Sequence, residues 1–96
     1  MKAQLEAAGD SLVVVDFYAT WCGPCKAIAP QIEAMSTGEF SAVKFLKVDV
    51  DECEEVAMEY NITAMPTFIF IKNGKKVDDM MGANPDKLKS MINNLK

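Results

Sequence analysis

The chain has 96 residues, half of them apolar, a net charge of −4, three cysteines and no histidine. This length bounds one small domain with a core just large enough to fold, and no apolar run approaches the roughly 20 residues of a membrane-spanning helix. Every basic residue is lysine, and an acidic chain without arginine is a poor match to nucleic acid.

Residues 1–8 read as a short helix stopped by Gly9. The run Leu12–Tyr18 is almost wholly apolar and reads as a central strand covered on both faces. A helix is predicted from about Pro24 to Met35, with Pro24 suited to its first turn and Pro30 expected to kink it. Val43–Asp49 is the next strand. Asp51 is expected to cap a helix running to Tyr60, with Glu54 at the capping-box position. Thr67–Lys72 and Lys75–Met80 form a hairpin through Asn73-Gly74. Asn84 and Pro85 open a last helix with a cap and a first-turn proline, and it ends near Leu95. No repeat, linker or low-complexity stretch interrupts this α/β pattern. The absence of a charged-then-apolar signal at the N-terminus, with a dithiol that must stay reduced, points to a cytosolic place.

Trp21-Cys22-Gly23-Pro24-Cys25-Lys26 carries the chemistry. The pair falls where a buried strand gives way to a helix, and a helix N-terminus offers unpaired N–H groups and a positive dipole end. A cysteine there is favoured as thiolate, the reactive form. One sulfur attacks a foreign disulfide while the other stays within reach to resolve the adduct. Cys22 is the candidate nucleophile, expected to be the more exposed of the two, and Cys25 the resolving thiol. A closed zinc site needs four ligands, more than three cysteines and no histidine supply. A metal or iron–sulfur site shared between chains, or a purely structural disulfide closing a very small loop, are the alternatives. Asp16 is the only charge in its apolar strand. A carboxylate buried without a partner is expensive, so its pKa should rise; the other reading is a strand-edge carboxylate that reaches solvent. Trp21, beside Cys22, is read as surface rather than core. Cys53, within Asp51-Glu52-Cys53-Glu54-Glu55, reads as an unreactive helix cysteine, with a regulatory oxidation site as the alternative.

Phe17 to Lys26 resembles the active-site segment of the thioredoxin family. Val48-Asp49-Val50-Asp51, Ala64-Met65-Pro66-Thr67-Phe68 and Gly82-Ala83-Asn84 resemble three further family segments, in the family's order. The match runs from about Ala8 to the C-terminus and is close to the small animal cytosolic type. The resemblance implies a thioredoxin-like α/β fold over residues 1–96, with a mixed sheet of about four strands flanked by helices. The family's first edge strand has no counterpart here, so the chain is expected to be shortened at its N-terminus, with Val43–Asp49 at the sheet edge, Lys44 and Lys47 blunting it, and lower stability as a result.

The resemblance further implies a protein disulfide reductase with catalytic Cys22, Cys25 and Asp16, where Asp16 takes the proton of Cys25. Lys47 would support that acid, with a solvated edge lysine as the other reading. Gly23 and Pro24 resemble the reducing members of the fold. Trp21, Gly23, Pro24, Met65, Pro66, Gly82 and Ala83 would form the docking surface for target proteins, with the Met65–Pro66 bond cis. Ala64 stands where some relatives carry a dimer-forming cysteine. No cofactor or metal would be bound; electrons would come from NADPH through thioredoxin reductase. Targets would be disulfide-containing proteins such as peroxiredoxins, methionine sulfoxide reductases and ribonucleotide reductase, with neither nucleic acid nor membrane as partner. A non-catalytic binding module using the same groove and an isomerase-like oxidant are the competing functions.

Overall fold

The computed structural model describes Gly9 and residues 11–96; the helix expected over residues 1–8 lies outside them. Four strands, β1 (Val13–Tyr18), β2 (Lys44–Asp49), β3 (Thr67–Lys72) and β4 (Lys75–Met81), and three helices, α1 (Gly23–Thr37), α2 (Glu54–Glu59) and α3 (Pro85–Leu95), make up the described fold. Among the described residues the sheet order is β2-β1-β3-β4. β2 runs parallel to β1, while β3 is antiparallel to both β1 and β4. This is the mixed four-stranded α/β sheet that the family resemblance implied, with β2 at an edge among the described residues and Lys44 and Lys47 exposed on it.

The apolar composition of β1 follows from its place. Val13 to Phe17 are buried throughout, because helices cover both sides. On one face Val14, Phe68 and Phe70 pack with Ile28, Ile32 and Met35 of α1 and Leu88 and Ile92 of α3. On the other face Val13, Val15, Phe17, Ile69 and Ile71 pack against Val56, Tyr60 and Ile62. Fully buried side chains of this size contribute about 1.5–3 kcal/mol each relative to exposure. The alternation of β1 between the two clusters also fixes its register, since a slip of one residue would exchange the faces.

The turns behave as their residues require. Asn73 and Gly74 both have positive φ, +56° and +76°, the geometry that selects Asn-Gly for a two-residue hairpin. Asn84 caps α3 by accepting from the Lys87 N–H at 3.1 Å, and Pro85 follows in the first turn. Asn84→Ala should therefore lower stability by about 1 kcal/mol; an unchanged urea midpoint would show that the cap is idle.

Two local expectations are corrected. α1 extends past Met35 to Thr37, with Pro30 inside it as expected. Pro30 lies on the exposed side of α1, while Ile28, Ile32 and Met35 hold the helix to the sheet. α2 is shorter than expected, with Cys53 rather than Asp51 at its N-cap and no side-chain cap bond. The Asp51 carboxylate is engaged elsewhere, accepting from the Trp21 indole N–H, and its own N–H donates to the Asp49 carboxylate. No described helix is long and apolar enough to cross a membrane.

Candidate active site

The chain leaves β1 at Tyr18, turns through Ala19–Trp21 and enters α1 at Gly23. The Cys22 N–H donates to the Ala19 carbonyl at 3.1 Å, and the Lys26 N–H donates to the Cys22 carbonyl at 3.2 Å. Cys22 is thus the N-cap residue, in extended conformation, with Pro24 in the first turn. Its Sγ accepts from the Cys25 backbone N–H at 3.2 Å. A helix-start N–H aimed at a sulfur, added to the dipole end, favours negative charge on that sulfur. Cys22 and Cys25 are joined as a disulfide with Cα atoms 5.3 Å apart, an ordinary separation for a bridge.

The expected contrast in exposure is absent, since both cysteines are 5 % exposed. In the bonded state Cys22 turns toward Cys25, and the pair packs with Ala19 under Tyr18, Val50 and Met65. What distinguishes the two sulfurs here is the cap position and the N–H on Cys22.

Asp16 is 4 % exposed. Its Oδ1 is buried and accepts no hydrogen bond. Burial pushes the carboxyl up from 3.8 to about 6, and the positive charge of Lys47 pulls part of the way back. A solvated strand-edge carboxylate is therefore excluded. Asp16, Cys25, Lys26 and Lys47 line one cavity of about 320 Å³, large enough for water between the carboxyl and the buried sulfur. An adjoining hollow of about 470 Å³ shares Asp16, Lys26 and Lys47 and opens along α1 and β2. Lys47 stands opposite Asp16 in the β1–β2 register, and its Nζ lies over the Tyr18 ring, 5.0 Å from the centroid.

The surface expected around the pair is assembled from three loops. Trp21 is 67 % exposed and its indole N–H donates to Asp51 Oδ2 at 2.9 Å. Gly23 and Pro24 are exposed beside it. Met65 packs on the cysteines, and the Met65–Pro66 bond is cis, as expected. The Gly82 N–H donates to the Pro66 carbonyl at 2.9 Å, which ties the last loop to the proline loop. Gly82 has φ +99°, a conformation that favours glycine, and Ala83 beside it is exposed. Cys53 is an exposed free thiol at the N-cap of α2.

Three residues at this surface escaped the sequence reading. Asp51, taken as a helix cap, holds Trp21 across 30 positions of chain. Met81 is 62 % exposed directly before Gly82; the expected strand stopped at Met80, one residue short of it, whereas β4 includes it. Thr67 is buried at the head of β3, a place where a threonine reads simply as a strand former.

The chain is similar to proteins of one family along nearly its whole length. The thioredoxin family model matches residues 2–94. Human thioredoxin is 56 % identical over 91 residues, covering 95 % of this chain and 86 % of the human protein. The X-ray structure of Fasciola hepatica thioredoxin superposes with a TM-score of 0.95 at 51 % identity, over 98 % of this chain and 89 % of that one. Reduced Schistosoma mansoni thioredoxin gives a TM-score of 0.92 at 54 % identity, over 98 % of this chain and 88 % of that one. With this sheet order, this cysteine pair at a helix N-cap and this breadth of match, the chain belongs to the thioredoxin family.

Proposed function

We propose that residues 1–96 act as one domain that reduces disulfide bonds in other proteins, with Cys22 as nucleophile, Cys25 as resolving thiol and Asp16 as proton acceptor. The Cys22 thiolate attacks one sulfur of a target disulfide. The target S–S bond breaks, a Cys22–target disulfide forms, and the first target sulfur leaves as thiolate and takes a proton from solvent. Asp16 then accepts the Cys25 proton through water in the cavity that the two residues share. The Cys25 thiolate attacks Cys22 Sγ, the mixed disulfide breaks, and the second target sulfur leaves. Two electrons have passed from the dithiol to the target, and Cys22–Cys25 is left oxidised.

The observation that carries this reading is the asymmetry of the pair. Cys22 Sγ is the N-cap sulfur with a backbone N–H on it, whereas Cys25 shares a cavity with a buried carboxyl whose pKa is close to neutral. A group of that pKa both accepts and releases protons near physiological pH. Lys47, across the sheet from Asp16, tempers the carboxyl's rise. Targets lie along Met65-Pro66, Gly82-Ala83, Gly23-Pro24 and Trp21, a rim around the cysteines in which Trp21, Gly23, Pro24, Gly82 and Ala83 are exposed, Met65 is half-buried and Pro66 is buried. By family likeness, thioredoxin reductase returns the disulfide to the dithiol with electrons from NADPH, and the work is done in the cytoplasm on proteins such as peroxiredoxins, methionine sulfoxide reductases and ribonucleotide reductase.

Insulin reduction tests this. The wild type with a dithiol donor should precipitate insulin chains at a rate far above the Cys22→Ser/Cys25→Ser variant, which should match the donor alone. Equal rates for the two proteins would leave a non-catalytic binding module.

A further inference from the structure

Among the described residues two polar side chains are buried, Asp16 and Thr67. The mechanism above uses the first and leaves the second idle. Thr67 is 5 % exposed and opens β3, in register with Phe17 on one side and Met81 on the other. Its hydroxyl donates to the Ala64 carbonyl at 2.5 Å, closing a loop over Met65 and Pro66. A buried strand position between apolar neighbours would ordinarily take valine, which fills the same space without a hydroxyl to satisfy.

The bond has a directional consequence. It draws the Ala64 carbonyl in toward β3, while the Gly82 N–H draws in the Pro66 carbonyl at 2.9 Å. Between them, Met65 makes no backbone–backbone hydrogen bond among the described residues. The two tethers therefore fix the residues on either side and leave the Met65 N–H and C=O as the groups an incoming extended segment meets. Strand addition of this kind takes its affinity from main-chain hydrogen bonds, and those bonds weaken steeply with misalignment.

We infer that Thr67 is a positioning residue: its hydroxyl, bonded to the Ala64 carbonyl, holds the Met65 backbone in the orientation that receives the target chain. This rests on the reading that targets dock along Met65. It predicts that the hydroxyl sets how tightly a peptide target is held and leaves the thiol chemistry untouched, because the hydroxyl is bonded to the Ala64 carbonyl and Thr67 does not line the cavity that holds Asp16 and Cys25.

The test uses three substrates: a disulfide-bonded peptide, the same peptide N-methylated on the residues flanking its cysteine, and bis(hydroxyethyl) disulfide, which has no peptide backbone. The wild type should prefer the unmodified peptide to the methylated one several-fold. If it does not, the docking reading fails and the inference falls with it. Given that preference, Thr67→Val should raise KM for the unmodified peptide about five-fold, the value of one ordinary hydrogen bond. It should also erase most of the preference and leave kcat/KM for bis(hydroxyethyl) disulfide unchanged. Thr67→Ser, which keeps the hydroxyl, should behave as wild type, and Thr67→Ala should follow Thr67→Val if the valine protein is poorly folded. An unchanged KM and preference in both hydroxyl-less variants would overturn the inference while the docking reading stands. An equal loss on the peptide and the small disulfide would also overturn it, since that is the mark of general disturbance of the site.

Discussion

Asp16→Asn should yield a protein that is more stable and slower. The carboxyl rises from 3.8 to about 6 on folding because burial penalises its charged form. Below 3.8 the group is protonated whether the chain is folded or unfolded, so it carries no penalty. Between 3.8 and about 6 the unfolded chain has lost the proton and the folded one keeps it, so stability falls as pH rises. Above about 6 the penalty is complete. At about 1.4 kcal/mol per pH unit it amounts to about 3 kcal/mol. Asparagine keeps the shape and removes the charge, so the variant should gain up to about 3 kcal/mol at pH 8 and about half of that at pH 5. It should also resolve mixed disulfides ~10²-fold more slowly, because an amide accepts no proton from Cys25 and general-base help is of that order. Urea melts at both pH values, paired with insulin-reduction rates, measure both effects. Equal stability of the two proteins at pH 8 would mean that the charged form is not penalised, and the proton-acceptor role would fall with it.

Much of this was legible in the sequence because the informative residues act locally. The apolar run Leu12–Tyr18, interrupted only by Asp16, announced both a central strand and a buried acid, and both are seen. Asn73-Gly74 and Asn84-Pro85 announced their turn and cap through short-range geometry. Asp51 shows where such reading ends. A short acidic residue ahead of an apolar-periodic stretch is a good cap by local rules, yet an indole brought close by the fold takes its carboxylate. Thr67 is the same lesson at a strand, where propensity explains the residue well enough to hide its hydroxyl bond. The equal burial of Cys22 and Cys25 was also not readable, since it is set by how Tyr18, Val50 and Met65 pack over the pair and not by local sequence.

The largest functional effects are expected at the cysteines themselves. Cys22→Ser removes the attacking sulfur and should abolish reductase activity. Loss of a covalent nucleophile commonly lowers turnover by orders of magnitude, to what the remaining site provides. Cys25→Ser leaves the first step intact, because the cap geometry and helix dipole belong to Cys22. It removes only the thiol that breaks the adduct. Turnover should be lost as fully as in Cys22→Ser, but target proteins should accumulate as stable mixed disulfides, which reducing agent releases. Cys53 is an exposed free thiol outside the Cys22–Cys25 disulfide, so Cys53→Ser should leave both outcomes unchanged.

Peptide mapping of the adduct formed when Cys25→Ser meets a disulfide-bonded target tests the central claim most directly. The target cysteine should be joined to Cys22, and Cys22→Ser under the same conditions should give little adduct. A junction at Cys53, or more adduct from Cys22→Ser than from Cys25→Ser, would contradict the assignment of Cys22 as the nucleophile.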